Sequence, residues 1–275
     1  MSYLSFSTWS LHRLLGPLRW TYWDEEKQEH ITKEQPEPEV LTLLELPFEA
    51  AKRGFAAVEV CHFHFPSREP DYLTALRQAF ADAGVSFDTL LLDYGDITTT
   101  NPVRLEADMA LMRGWIDTAS AAGAKQIRVI AGEAPHTDEE AIQLAAARLR
   151  ELAAYAAPLG VRVVSENFRP LTESGQSCLK LLESTGDAIG FITDFGNFEG
   201  LAKYEEIRST LPYSVSVHAK AHYDDNGMPD EAEFRRCLDT LEAANWDGAI
   251  VLIYDGPGDM WEGMARIRKI VDNYL

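Results

Sequence analysis

Cysteine is scarce in this chain. Cys61, Cys178 and Cys237 are the only three in 275 residues. They are odd in number, far apart and free of any Cys-x-x-Cys pair, which argues against a disulfide framework and for reduced thiols that pack as small hydrophobes. Long apolar runs are missing too. No stretch reaches the roughly 18 residues that a bilayer-crossing helix needs. The opening Met-Ser-Tyr-Leu-Ser lacks the basic and apolar regions of a secretion signal. A cytoplasmic protein with no membrane partner is expected. Positive charge is in deficit, with 25 Lys and Arg against 44 Asp and Glu and a formal net charge of −19. A field of that sign repels phosphate backbones, so nucleic acid is not an expected partner. Low-complexity tracts and internal linkers are absent as well, and one domain over 1–275 is the expectation.

What is present is a regular alternation. Short β-rich apolar runs near 3–8, 56–61, 85–91, 126–131, 161–165, 190–194, 213–219 and 249–254 are each followed by a longer Ala/Leu/Glu/Arg-rich run. Those helical runs lie near 40–53, 70–84, 101–123, 138–159, 175–185, 199–211, 230–245 and 260–274. Eight βα units in a chain of this length predict an α/β fold, a closed (βα)8 TIM barrel, in preference to an open sheet. Glycines at the helix-to-strand junctions, Gly54, Gly84, Gly123 and Gly160, supply the left-handed residue that ends a helix. The segment 16–39 interrupts the pattern between the first strand and its helix. It carries Trp20, Tyr22 and Trp23 and then a polar, acidic stretch, too long for an ordinary βα loop. Loops after barrel strands sit on the catalytic face, so a lid is one reading and an ordered surface excursion or partner contact the other.

Three successive strands, the fifth to the seventh, end in side chains that bind metals: Glu166 in Val-Val-Ser-Glu-Asn, Asp194 in Phe-Ile-Thr-Asp-Phe-Gly-Asn and His218 in Val-Ser-Val-His-Ala-Lys. Singly, Glu166 could tie down a loop, Asp194 cap a helix and His218 sit satisfied in the core. Together at the catalytic end of neighbouring strands they predict a site for Mn, Mg, Co or Zn with positions left open for water or substrate oxygens. The eighth strand ends Ile253-Tyr254-Asp255-Gly256 and offers no Glu or His.

In order and spacing, the Glu-Asn, Asp-Phe-Gly-Asn, His-x-Lys and Tyr-Asp-Gly segments resemble the xylose isomerase-like TIM-barrel superfamily, the sugar phosphate isomerase/epimerase group. The resemblance extends over essentially the whole chain. It implies one divalent metal held by Glu166, Asp194 and His218, with a fourth Glu expected where Ile253 stands; Asp255, on the same side of the strand and nearer the rim, is the substitute ligand to test. It also implies a small carbohydrate or polyol as partner, and self-association into a homo-oligomer. Sugar epimerases of this group use two Glu residues on opposite faces of the substrate. With Glu166 alone, an isomerase with one base or a dehydratase-like lyase acting through an enediolate demands less.

Other residues can complete such a site. Glu59, His62 and His64 leave the second strand at even spacing, which sends them to one face of an extended segment. His62 or His64 would protonate a leaving hydroxyl or contact the sugar, as opposed to lying on a polar rim. Arg128 would fix a substrate oxygen or pair with a barrel carboxylate such as Glu59. Lys220 would steer an enolate or pair with Asp194. Trp9 and His12, with Trp20 and Trp23, would stack on a sugar ring or simply pack. The leading expectation is therefore a metal-dependent isomerase or lyase acting on a polyhydroxylated keto compound, with Glu166, His62 and Lys220 in catalysis. The alternatives are a sugar-binding or scaffold barrel that has lost its full site, and, last, a phosphodiesterase related to AP endonucleases, for which the chain lacks a basic groove.

Overall fold

The computed structural model describes residues 2–275. The chain begins with β1 (Tyr3–Ser7), a hairpin of β2 (Leu18–Asp24) and β3 (Glu29–Gln35), α1 (Leu46–Lys52), β4 (Ala57–Cys61) and α2 (Pro70–Ala83). It continues through β5 (Ser86–Leu91), α3 (Pro102–Ala122), β6 (Gln126–Arg128), α4 (Glu139–Ala156), β7 (Arg162–Glu166) and α5 (Gly175–Thr185). The last units are β8 (Gly190–Asp194), α6 (Lys203–Thr210), β9 (Ser214–Lys220), α7 (Glu231–Ala243), β10 (Ala249–Ile253) and α8 (Met260–Val271). Eight parallel strands close in the order β1-β10-β9-β8-β7-β6-β5-β4, with β4 returning to β1. The fold is the expected (βα)8 barrel.

Local chemistry accounts for the element ends. Asn101, Asp138, Ser174, Asp230 and Asp259 accept hydrogen bonds from first-turn N–H groups of α3, α4, α5, α7 and α8. Gly84 and Gly123 end α2 and α3 with φ of 66° and 82°, a conformation that costs any residue with a Cβ. Expected and observed elements differ most at α1, which starts at Leu46 and not near 40. The Thr42 and Glu45 side chains each accept the other's backbone N–H, and this reciprocal turn, followed by Pro47, sets the start.

Side-chain alternation then divides the strands between two environments. Val58 and Val60 face outward into the main apolar layer with Leu76, Met112, Trp115 and Leu149 of the helices. Glu59 between them faces inward, where Ser5, Thr89, Arg128, Ser216 and His218 are also buried. The barrel interior is thus polar in its middle, with a small apolar group of Cys61, Leu91, Val164 and Ile192 near its mouth.

Segment 16–39 is an ordered antiparallel hairpin, paired from Leu18↔Gln35 to Asp24↔Glu29. Its base is closed by Gly16 N–H donating to Pro38 O, and its far end is fixed to α3 by His30 Nε2 at 2.7 Å from Asp108 Oδ1. Among the described residues no helix is long and apolar enough to cross a membrane.

Candidate active site and metal-ligand cluster

β7 and β8 finish with Glu166 and Asp194, and β9 carries His218 two residues before its end at Lys220, all at one end of the barrel; Asp194 lies level with His218 in the strand register. One ligand atom from each residue falls within 4.8 Å of the other two. His218 Nδ1 stands 3.3 Å from Glu166 Oε1 and 3.5 Å from Asp194 Oδ2. Its Nε2 lies 2.7 Å from Glu59 Oε2, and Glu59 also accepts the Thr89 hydroxyl at 2.8 Å. A carboxylate behind an imidazole fixes the ring and leaves the other nitrogen facing the ligand cluster.

Asp194 is held from three sides. Its Oδ1 accepts the Gly196 and Asn197 N–H groups at 2.6 and 3.1 Å. Asn167 accepts the Asp194 N–H at 2.7 Å and donates to the Asp194 carbonyl at 2.9 Å, stapling the end of β8 to the residue after β7. Oδ2 therefore remains for the cluster.

The electrostatics suit a cation. Burial pulls the His218 imidazole down, but the Glu166 and Glu59 charges outweigh it and hold the group well above its ordinary value. Burial pushes the Glu166 carboxyl up, while Arg128 and His218 more than compensate and keep it below the usual range. Glu166 Oε2 lies 2.9 Å from Arg128 Nη1 yet lacks an aligned hydrogen-bond donor. Two buried carboxylates and one oriented imidazole converging on one point form a donor set that fits a divalent ion, which would displace the proton at Nδ1.

Above the cluster opens a cavity of about 260 Å³ whose walls include Trp9, Trp20, Asp93, Phe168, Arg169 and Ile253. Glu166, Asp194, His218, Arg128, Lys220 and Asp255 all border it. Arg128 pairs with Asp93 and Glu166, not with Glu59. Lys220 Nζ pairs with Asp255 Oδ2 at 3.0 Å, not with Asp194. Burial lowers the Lys220 ammonium, but Asp194 and Asp255 raise it further, so the group stays protonated. Asp255 is therefore engaged by Lys220 and lies outside the three-residue cluster. Ile253 is level with Lys220 in the register and packs with Ala249 and Val251.

Four residues expected around a substrate lie elsewhere. Glu59 is completely buried beneath the cavity, where it orients His218. His62 and His64 do not continue the strand: the chain turns into a 3-10 segment at His62–His64, which breaks the even spacing. His62 Nδ1 accepts the Asp93 N–H at 3.2 Å, and burial reinforced by Arg128 lowers the ring to about 3. The ring packs on Trp115 and does not border the cavity. His64 Nδ1 lies 2.8 Å from Thr8 Oγ1 and lines a different pocket. His12 stacks on Trp9 at 4.2 Å and does not reach the cavity.

Sequence reasoning missed Asp93, Phe168, Arg169 and Asn197. Asp93 carries the clearest signal, an acidic residue two positions beyond β5. Burial raises its carboxyl, against the pull of Arg128. Asn197 lies in a motif already marked for Asp194 and donates to Glu166 Oε1 at 3.3 Å.

A family model described as "Xylose isomerase-like TIM barrel" matches residues 48–270. No curated protein matches the chain. Among solved structures the chain is similar to the probable 3-DHS dehydratase AsbF of Bacillus anthracis, with a TM-score of 0.71 and 15% identity over 98% of this chain and 99% of that one. It is similar also to a D-allulose 3-epimerase of Methylomonas sp., with a TM-score of 0.70 and 15% identity over 100% and 98%. IOLI protein, crystallised with a zinc atom, gives 0.69 and 14% over 99% and 98%. At these identities the likeness is one of fold.

Proposed function

The chain belongs to the xylose isomerase-like TIM-barrel family, and from that premise we propose that it is a divalent-metal-dependent isomerase or dehydratase-like lyase acting on a small polyhydroxylated keto compound. The observation that carries this reading is the convergence of Glu166, Asp194 and His218 within 4.8 Å, with Glu59 fixing the imidazole from behind. The similar structures, a probable dehydratase and a D-allulose 3-epimerase, support the reaction classes considered. A divalent ion at this cluster would supply Lewis-acid polarisation of adjacent carbonyl and hydroxyl oxygens on the substrate.

The chain's own residues supply the rest. Glu166 stays ionised under the influence of Arg128 and His218 and is the base placed to take a proton from the carbon beside the carbonyl. Lys220, kept protonated and aimed by Asp255, donates to a substrate oxygen and favours an enediolate or a departing hydroxyl. Arg128, held between Asp93 and Glu166, keeps Glu166 in place. Trp9 and Trp20 form an apolar wall suited to the C–H face of a sugar ring. Ile253 has no ionisable group, so a second base on β10 is lacking and two-base epimerisation is disfavoured.

The same Ile253 supports a second reading, a barrel that binds a sugar without turning it over. Metal content and metal affinity of wild type, Glu166→Gln and His218→Ala separate the two. Near-stoichiometric metal in wild type, lost in both variants, is expected and would justify assaying keto-sugars and keto-polyols for isomerisation and dehydration. No affinity for any divalent ion would overturn the metal-dependent reading and leave the binding barrel.

A further inference from the structure

Arg169 occupies a backbone conformation that nothing in its side chain favours. Its φ is 76° and its ψ 165°, a region essentially reserved for glycine, and the next residue is Pro170. A residue before proline ordinarily adopts an extended conformation with negative φ. The strain is imposed by its neighbours. Thr172 Oγ1 lies 2.8 Å from the Glu166 carbonyl and 3.0 Å from that of Phe168, and accepts the Phe168 N–H at 3.1 Å, so the turn after the ligand Glu166 is clasped shut. Strain of this kind persists where the position of a side chain matters.

The side chain so placed borders the cavity. Its guanidinium lies 4.9 Å from the Phe168 ring, as does that of Arg128, so one phenyl group is shared by two cations. Arg128 is already matched by Asp93 and Glu166. Arg169 makes no side-chain hydrogen bond among the described residues; its Nε forms a loose ion pair with Glu133 Oε1 at 3.7 Å, with the two side chains 43% and 40% exposed, and its charge also acts on Asp93. The carboxylates that border the cavity are differently placed: Asp93 faces Arg128, Asp255 faces Lys220, and Glu166 and Asp194 belong to the metal cluster. Arg169 is thus the bordering cation whose donors no carboxylate takes up at hydrogen-bond distance, its one ion pair being long and on the exposed rim.

The geometry points to Arg169 as the anchor for an anionic group on the substrate, a carboxylate or phosphate carried by the keto-polyol. This rests on the proposed function for the polyol part and adds the charge. A guanidinium presents paired donors to either anion and remains charged at all working pH values. In a chain of net charge −19, a cation at the cavity wall whose guanidinium donors are free of hydrogen bonds also selects anions that the remaining surface repels.

The test compares probes with the same carbon chain, D-glucitol, D-gluconate and D-glucitol 6-phosphate, by quenching of tryptophan fluorescence in wild type, Arg169→Gln, Arg169→Lys and Arg169→Gly. Wild type is expected to bind at least one anionic probe about tenfold or more tightly than glucitol, the order expected of one charge-assisted contact. Whichever anion is preferred identifies carboxylate or phosphate. Arg169→Gln should lose the preference while glucitol binding is retained, and Arg169→Lys should keep part of it. Arg169→Gly relieves the backbone strain, so it should melt no lower than wild type and still lose the preference, which separates loss of the anchor from loss of fold. Equal binding of all three probes by wild type, no binding of either anion at millimolar concentrations, or a preference that survives in Arg169→Gln would overturn the inference. Metal affinity measured on the same samples keeps the two readings apart: metal bound without anion preference removes only the anchor, and an Arg169-dependent preference without metal removes only the metal chemistry.

Discussion

Behind His218, the Glu59 carboxylate decides which imidazole nitrogen faces the ligand cluster. Glu59→Gln keeps an acceptor for the ring but removes the charge, so metal affinity should fall about 10- to 100-fold with the fold intact, read by competition against a chromophoric chelator. An affinity equal to wild type would show that Glu59 does not orient the ligand. The inward position of Glu59 was readable from strand alternation, but its partner was not, because 159 residues separate the two in sequence. The convergence of Glu166, Asp194 and His218 was legible, since each follows an apolar run whose end could be seen. His62 and His64 misled for a local reason: spacing of two implies one face only while the backbone stays extended, and here it curls just after Cys61. Arg169 left no trace in the sequence, because the conformation that makes it informative belongs to the backbone.

Elements carry the next level of precision. The end of β8 is tied to β7 by the two Asn167 hydrogen bonds, and Asn167→Ala leaves a buried N–H and a buried carbonyl of Asp194 without their partner. A loss of about 1–3 kcal/mol is expected in denaturant unfolding, together with weaker metal binding because Asp194 is no longer fixed. The hairpin is held over the barrel mouth at its far end by His30 and Asp108. His30→Ala should speed amide hydrogen exchange across residues 18–35 while leaving the barrel strands protected; unchanged exchange there would mean that Trp20 and the hairpin base alone secure it. Apart from the start of α1, the eight barrel strands and eight helices could be placed to within a few residues, because the strands are apolar on their outward face and most of the helices are amphipathic. The hairpin escaped that reading: a two-stranded ribbon with much of its surface in solvent needs no continuous apolar pattern, and its acidic composition looked like loop.

At the scale of the whole molecule, a net charge of −19 and two buried neutral histidines act in opposite directions as pH falls. Protonating carboxylates relieves self-repulsion. His62, held near 3 by burial and Arg128, and His64, held well below its ordinary value by burial, bind protons more readily in the unfolded chain. Their contribution is complete above about pH 6.5 and is lost as pH drops toward the folded values, with a slope of up to about 1.4 kcal/mol per pH unit for each ring. Stability measured between pH 7 and 4 should therefore fall less steeply in His62→Gln than in wild type; parallel curves would mean that His62 is protonated in the folded state. One feature of the barrel also acts on the ribosome. The sheet becomes a ring only when Tyr3 pairs with Ala249, so its first strand waits for its last neighbour while nearly the whole chain is translated, on the order of tens of seconds. Throughout that interval Leu4 and Phe6, which face outward from the first strand, lack the neighbours that cover them in the closed ring.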